Sequence, residues 1–243
     1  MDWSDDGIIL SARAHGETAA LAVLLTREHG RHAGLVHGGQ GRAMRPVLEP
    51  GNRVAVRWRA RLSDQLGTYS LESVGGTAAG LLDDPLRLAA LSAACALVDA
   101  GLAEREPHPG LYDATIALFQ ALTAEVWAEI YVRWELGLLE ELGFGLDLHR
   151  CAATGITAND QLAYVSPRTG RAVSLSAAEP FKDRLLPLPR FLVGLSDGGP
   201  AEVAQGLALT GHFLDRHVFA QRHQEVPPAR ARFVERYGRA TPV

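Results

Sequence analysis

Five short apolar runs fill the first 75 residues, with glycine between them. They cover residues 7–14, 18–26, 31–37, 53–62 and 68–74. Gly16, Gly30, the Gly38-Gly39-Gln40-Gly41 stretch, Pro50-Gly51-Asn52 and Gly67 separate them. Runs this short, several with period two, are expected to be strands. Five strands at this spacing suit a small closed barrel, which leaves no open sheet edge. A sandwich of the same strands fits the pattern too.

After Gly75-Gly76 the pattern changes. Asp83-Asp84-Pro85 reads as an N-cap with proline in the first helical turn. Helices are then expected over 86–104, 111–122 and 125–142, the last ending at Gly143. Residues 147–176 are loop-rich. A further helix is expected from Ala201 to about Gln221, and a short basic one over 229–237 after Pro227-Pro228. The composition shift near residue 80 divides the chain into 1–78 and 79–243, the second holding a loop segment at 147–178. The expected fold class is α+β and multidomain: a five-stranded barrel, then an all-α helical domain.

The net charge of −4 conceals a division. Residues 1–80 carry nine Arg against eight acids, and residues 81–145 carry three Arg against eleven acids. Of the 24 basic residues only Lys182 is lysine, and arginine forks onto phosphate and stacks on bases where lysine cannot. The richest segment is Arg53-Val54-Ala55-Val56-Arg57-Trp58-Arg59-Ala60-Arg61-Leu62. On a strand, Val54, Val56, Trp58, Ala60 and Leu62 share one face, and Arg53, Arg57, Arg59 and Arg61 share the other. A nucleic-acid backbone would neutralise such a stripe. So would Glu49, Glu72 or Asp64 on a solvated barrel exterior. Arg27 and Arg31 flank a turn, and Arg42 and Arg45 flank the glycine-rich loop. With the stripe they make eight candidate DNA contacts. Trp58 falls on the apolar face and is expected in the core.

Sites for covalent chemistry are not apparent. Gly38-Gly39-Gln40-Gly41-Arg42 lacks the Gly-Lys-Ser/Thr ending of a phosphate loop. No Glu-x-x-His pattern occurs. His15, His29, His32 and His37 are irregularly spaced and read as turn and surface residues rather than metal ligands. The chain is expected not to be an enzyme and to need no cofactor. Its N-terminus is acidic where a signal peptide would be basic, and no apolar run nears the roughly 20 residues of a membrane span. A cytoplasmic, nucleoid-associated location is expected, with Cys95 and Cys151 as free thiols.

In order, these segments resemble the RecO family of recombination mediators. The N-terminal likeness rests on His15-Gly16-Glu17-Thr18, on Leu24-Leu25-Thr26-Arg27-Glu28-His29-Gly30-Arg31, on Leu48-Glu49-Pro50-Gly51 and on the basic strand. Further on it rests on the run from Trp134 to Phe144, then Leu148-His149-Arg150-Cys151-Ala152-Ala153-Thr154-Gly155, then the run from Val165 to Val173. The resemblance implies an OB-fold barrel and a helical domain. It also implies a small segment that holds zinc through four cysteines in many members. Here Cys151 occupies the first position, and Thr154, Ser174 and Ala177 stand at or near the other three, so the segment is a degenerate zinc ribbon and no metal is expected.

The implied activity is to bind single- and double-stranded DNA, anneal complementary strands and help load RecA onto DNA coated with single-strand-binding protein. The implied partners are RecR, the C-terminal tail of single-strand-binding protein, and in many systems RecF and RecA. A generic OB-fold RNA-binding module is the alternative. For an acidic tail ending in an apolar residue, the expected receptor is an apolar pocket beside a cation. Arg133, with Ile130 and Trp134 on the same helix, is the candidate. Simple pairing of Arg133 with Glu129 is the competing account.

Overall fold

The computed structural model describes residues 1–62, 64–155, 157 and 162–241. Five strands, β1 (Asp2–His15), β2 (Ala19–Thr26), β3 (Gly30–Val36), β4 (Arg53–Arg59) and β5 (Thr68–Gly75), form a closed barrel in the order β1-β2-β3-β5-β4. Closure depends on the length of β1. Its first half pairs with β4, from Asp2↔Arg59 to Ile8↔Arg53, and its second half pairs with β2, from Gly7↔Thr26 to His15↔Ala19. A register shift between Ile9 and Ser11 bends the strand. A short parallel pairing, Leu35↔Thr68 and Val36↔Tyr69, seals β3 against β5.

Alternation fills the barrel. Ile9, Ala20, Ala22, Leu24, Val36, Val54, Val56, Trp58 and Tyr69 form one buried cluster. Gly34 makes room for it, because a Cβ there would stand 2.6 Å from the Tyr69 ring. Trp58 is 2% exposed, as expected, and its indole N–H donates to the Leu66 carbonyl at 3.0 Å. The alternation stops sooner than the sequence suggests. The strand ends at Arg59, and Leu62, placed on the apolar face by periodicity, is exposed. Ala60 N–H and C=O instead engage Met1, which closes the strand pair.

Two helices belong to the same compact unit as the barrel, which spans residues 1–123 and 227–233. Helix α1 (Pro85–Gly101) is capped by the Asp84 carboxylate, which accepts from Leu86 N–H and Arg87 N–H. Its inner face lies on the barrel: Cys95 Sγ reaches the Ile9 carbonyl at 3.8 Å, and Leu91 packs on Gly51. Helix α2 (Pro109–Ala121) follows a loop held to β3 by Arg105 N–H donating to the Arg31 carbonyl, 2.8 Å.

The second unit spans residues 124–226 and 234–243. It contains α3 (Trp127–Glu141) and α5 (Pro200–Phe213), with α4 (Leu175–Ala178) a single turn between them in the chain. It is not all-helical. Strands β6 (Leu162–Val165), β7 (Ala172–Ser174) and β8 (Leu186–Pro187) form a small sheet, β7-β6-β8, where the sequence reads as loop. The turn at Gly170, φ +67°, folds β6 onto β7 and buries Leu162, Val165 and Ala172. The helix expected to continue to Gln221 widens at Leu214 into a π turn over Leu214–Phe219. Helix α6 (Pro228–Ala240) divides between the units after Phe233.

Candidate nucleic-acid interface

Strand β4 presents its arginines as alternation requires. Arg57 and Arg59 are exposed on its outer face, while Arg53 at the start is half-buried beside Phe119 and Ile116. The neighbouring strands set Ser4 and Ser70 beside Arg57, and Asp2 and Thr68 beside Arg59. Hydroxyl groups and one carboxylate therefore surround two guanidinium groups. That carboxylate is Asp2, 2.8 Å from Arg57, rather than Glu49, Glu72 or Asp64. The Arg57 hydrogen bond and charge, with Arg59 behind them, hold the Asp2 carboxyl below the usual carboxylate range. Both partners are about half exposed, so the pair is screened and yields readily to a competing anion. Arg61 is also exposed but lies beyond the end of the strand.

A second basic group lines the groove beneath the glycine-rich loop. Gln40 ties that loop to the β1–β2 turn by donating to the Gly16 and Ala19 carbonyls, 3.0 and 2.9 Å. A cavity of about 420 Å³ opens there, with Arg13, Arg45 and Glu49 in its walls. Arg42 is exposed on the same loop. Sequence reading missed Arg13. Period two would set it on the face opposite Ala12 and Ala14, yet all three line the cavity, so alternation alone does not reveal it.

Arg27 and Arg31 are engaged elsewhere. Arg27 pairs with Asp113 of α2 at 2.8 Å, and that hydrogen bond raises the guanidinium pKa further. Arg31 pairs with Asp99 of α1 at 2.9 Å and with Glu104 at 3.2 Å. They hold helices and loop to the strand they leave, in the same compact unit. Strand order also sets β3 and β4 apart, with β5 between them.

The early histidines are not all surface residues. His15 and His37 are exposed, but His32 is 3% exposed inside the barrel. Its Nδ1 lies 3.0 Å from both the Ala33 carbonyl and the Tyr69 hydroxyl. Burial, then repulsion from Arg105, pushes its pKa down to about 4, so the ring is neutral at pH 7. Burial likewise drives the Tyr69 phenol well above its ordinary value.

In the second unit, Cys151 is buried where the ribbon's first ligand would stand. Its sulfur accepts from Ser174 N–H at 3.2 Å and lies 3.4 Å from Ser174 Oγ. Burial works against the thiolate, but donors from Ser174 and Thr154 prevail and lower its pKa to about 6. One thiolate among hydroxyl groups does not fit a tetrahedral structural zinc site. Among the described residues, no group of three or more His, Cys, Asp or Glu side chains gathers as a metal site would. Both cysteines are free thiols.

On α3, Arg133 is exposed and donates to the Phe191 carbonyl, with its guanidinium 5.4 Å from the centre of the Phe191 ring. Glu129 accepts from Gly199 N–H at 3.0 Å. Ile130 is half-buried, and Trp134 is buried against Tyr131. Arg133 and Ile130 thus reach the surface of this unit, and Trp134 serves its core. No helix among the described residues is long and apolar enough to cross a membrane.

The site is a closed five-stranded barrel with Arg57 and Arg59 turned outward on β4, the class of surface that can meet a polyanion. Comparison with known proteins gives the family. Residues 1–76 match the model of the recombination protein O N terminus, and residues 82–225 match that of its C terminus. The chain is 78% identical over 240 residues to the DNA repair protein RecO of Rhodospirillum centenum, covering 99% of this chain and 96% of that one. It is 55% identical to RecO of Phenylobacterium zucineum, with 99% of each chain covered. It is 52% identical to RecO of Caulobacter vibrioides strain NA1000, again with 99% of each covered. The chain belongs to the RecO family of DNA repair and recombination proteins.

Proposed function

We propose that this chain is a recombination mediator whose OB-fold barrel binds single- and double-stranded DNA and anneals complementary strands. The exposed pair Arg57 and Arg59 on the outer face of β4 carries the reading. Annealing requires no covalent step, so no catalytic group is invoked. It requires a cationic surface that lowers repulsion between two phosphate backbones. Arg61, Arg13, Arg42 and Arg45 extend that surface toward the ends of the strands. Asp2 holds Arg57 in place without DNA and gives way to phosphate when DNA arrives.

The chain acts with RecR and, where present, RecF. It displaces single-strand-binding protein and helps load RecA in the nucleoid of the cytoplasm. The acidic tail of single-strand-binding protein docks in the second unit, its terminal carboxylate on Arg133 and its apolar end beside Ile130.

The test is annealing of complementary strands coated with single-strand-binding protein. The protein should accelerate it, and Arg57→Ala/Arg59→Ala should weaken DNA binding for every sequence. The slope of log affinity against log salt should become shallower by roughly one for each phosphate that is no longer neutralised. An unchanged affinity and slope in the double variant would remove β4 from the interface. Failure to accelerate annealing, with RNA bound equally well, would leave a generic nucleic-acid module.

A further inference from the structure

The barrel mouth near the β2–β3 turn holds a column of rings. His29 stacks on Trp3 with centroids 4.0 Å apart and planes 9° from parallel. Trp3 lies in turn on Trp58, 5.6 Å and 18°. His32 meets both tryptophans edge-on and wedges the column from below. The inner plate, Trp58, is sealed in the core, but the His29 side chain is 34% exposed. It lines an open cavity of about 610 Å³.

The outer plate is held fixed. The Asp5 carboxylate, itself 5% exposed, lies 2.9 Å from His29 Nδ1 and also accepts from Glu28 N–H at 2.8 Å. Gly30 bends the turn at φ +66°, and any Cβ there would collide with the Glu106 carbonyl at 1.9 Å. The ring is therefore oriented before any ligand arrives, which limits the entropy lost on binding.

Charge decides what the cavity takes. Its rim carries Asp2 and Glu28, which repel phosphate, together with Met1, which is 71% exposed, and Arg105. Arg57 and Arg59, which attract phosphate, lie just outside on β4, opposite Ser4 and Asp2 of β1. An aromatic floor with acidic acceptors at its edge suits a planar ring bearing amino groups. A cationic track beside it suits the backbone to which such a ring is attached.

We propose that the barrel mouth receives one unstacked nucleobase of single-stranded DNA, laid on the open face of His29, while the adjoining phosphates follow Arg57 and Arg59. This rests on the DNA-binding reading above and adds a base contact to it. Such a contact tolerates any base, because each has a π face. It also favours single strands, because a base in a duplex must first be extruded.

The experiment measures binding of two labelled strands of equal length by fluorescence anisotropy, one an ordinary oligodeoxynucleotide and one abasic throughout. The wild type should bind the ordinary strand about tenfold more tightly, within the range of one base-on-aromatic stack. His29→Ala should bind both strands alike, with its abasic affinity unchanged, and His29→Phe should restore the preference. If the wild type binds both strands equally, the base site is refuted while phosphate binding stands. Retention of the preference by His29→Ala refutes it as well. If the wild type binds neither strand, the DNA-binding reading falls and the base site with it. The wild-type comparison stays decisive even if His29→Ala does not fold.

Discussion

His32 is the most deeply buried titratable histidine of the barrel, 3% exposed between Trp3, Trp58 and Tyr69. In the unfolded chain it titrates near 6.5, and in the barrel burial and Arg105 lower that to about 4. Between these values the unfolded chain holds a proton that the folded chain refuses. Stability must then fall as pH drops from about 6.5 to about 4, and His32 adds no slope above 6.5, where the ring is neutral in both states. One proton is worth about 1.4 kcal/mol per pH unit, so across the whole window the loss approaches about 3 kcal/mol. That is a large part of the stability of an ordinary domain. The assay is urea unfolding followed by tryptophan fluorescence in steps from about pH 7 to about pH 4.5, on the wild type and on His32→Gln. The variant begins less stable, because it loses packing against three rings, but its curve should be flatter in this window. The carboxylates titrate in both proteins and cancel in the difference. Parallel curves would show that His32 is protonated as readily in the barrel as in the unfolded chain, and the desolvation argument would fail.

Other outcomes follow from the second unit. Arg133→Ala should weaken binding of a peptide copying the acidic tail of single-strand-binding protein by tenfold or more, roughly 1.4 kcal/mol, without altering DNA affinity. Equal peptide affinity in calorimetric titration would place the tail elsewhere, for instance at the exposed Arg216 or Arg232. Elemental analysis of purified protein should find no stoichiometric zinc, and zinc that disappears on Cys151→Ser would overturn that expectation. Thr210→Val should destabilise the unit by about 1–3 kcal/mol in denaturant melts, because the Thr210 hydroxyl donates at 2.5 Å to Glu135, a fully buried carboxylate. A variant as stable as wild type would show that the Glu135 charge is satisfied without it.

Much of the barrel was legible because alternation and glycine are local. Ala19–Thr26, Gly30–Val36 and Thr68–Gly75 fall within a residue of their predicted limits. Strand β1 was harder, since Asp2-Trp3-Ser4-Asp5-Asp6 shows a single large apolar residue. Those residues are strand because β4 pairs with them, and pairing between positions as far apart as Asp2 and Arg59 leaves no mark in a short window. His32 was misread for the same reason. Only the fold brings Trp3, Trp58 and Tyr69 around it and makes a polar residue part of the core. The small sheet was hidden because β7 has three residues and β8 two, too few to show a period. The π turn was hidden because widening a helix by one residue leaves its apolar spacing nearly intact.

Composition does not separate arginines that hold the fold from arginines that stand open to solvent. Nine arginines in the first 80 residues and an acidic stretch from 81 to 145 divide the chain by charge. Part of each charge is instead spent on the other. Asp99, Glu104 and Asp113 from the acidic stretch are the counter-charges of Arg31 and Arg27. Arg31, about one-fifth exposed between two carboxylates, would surrender both partners to contact phosphate, and α1 would lose its anchor on β3. Arg57 surrenders one exposed partner, and Arg59, Arg61, Arg42 and Arg13 lie open on the surface. Sorting arginines by what they must give up, rather than by how many there are, leaves β4 and the groove beneath the glycine-rich loop as the surfaces where a phosphate would cause the least disruption.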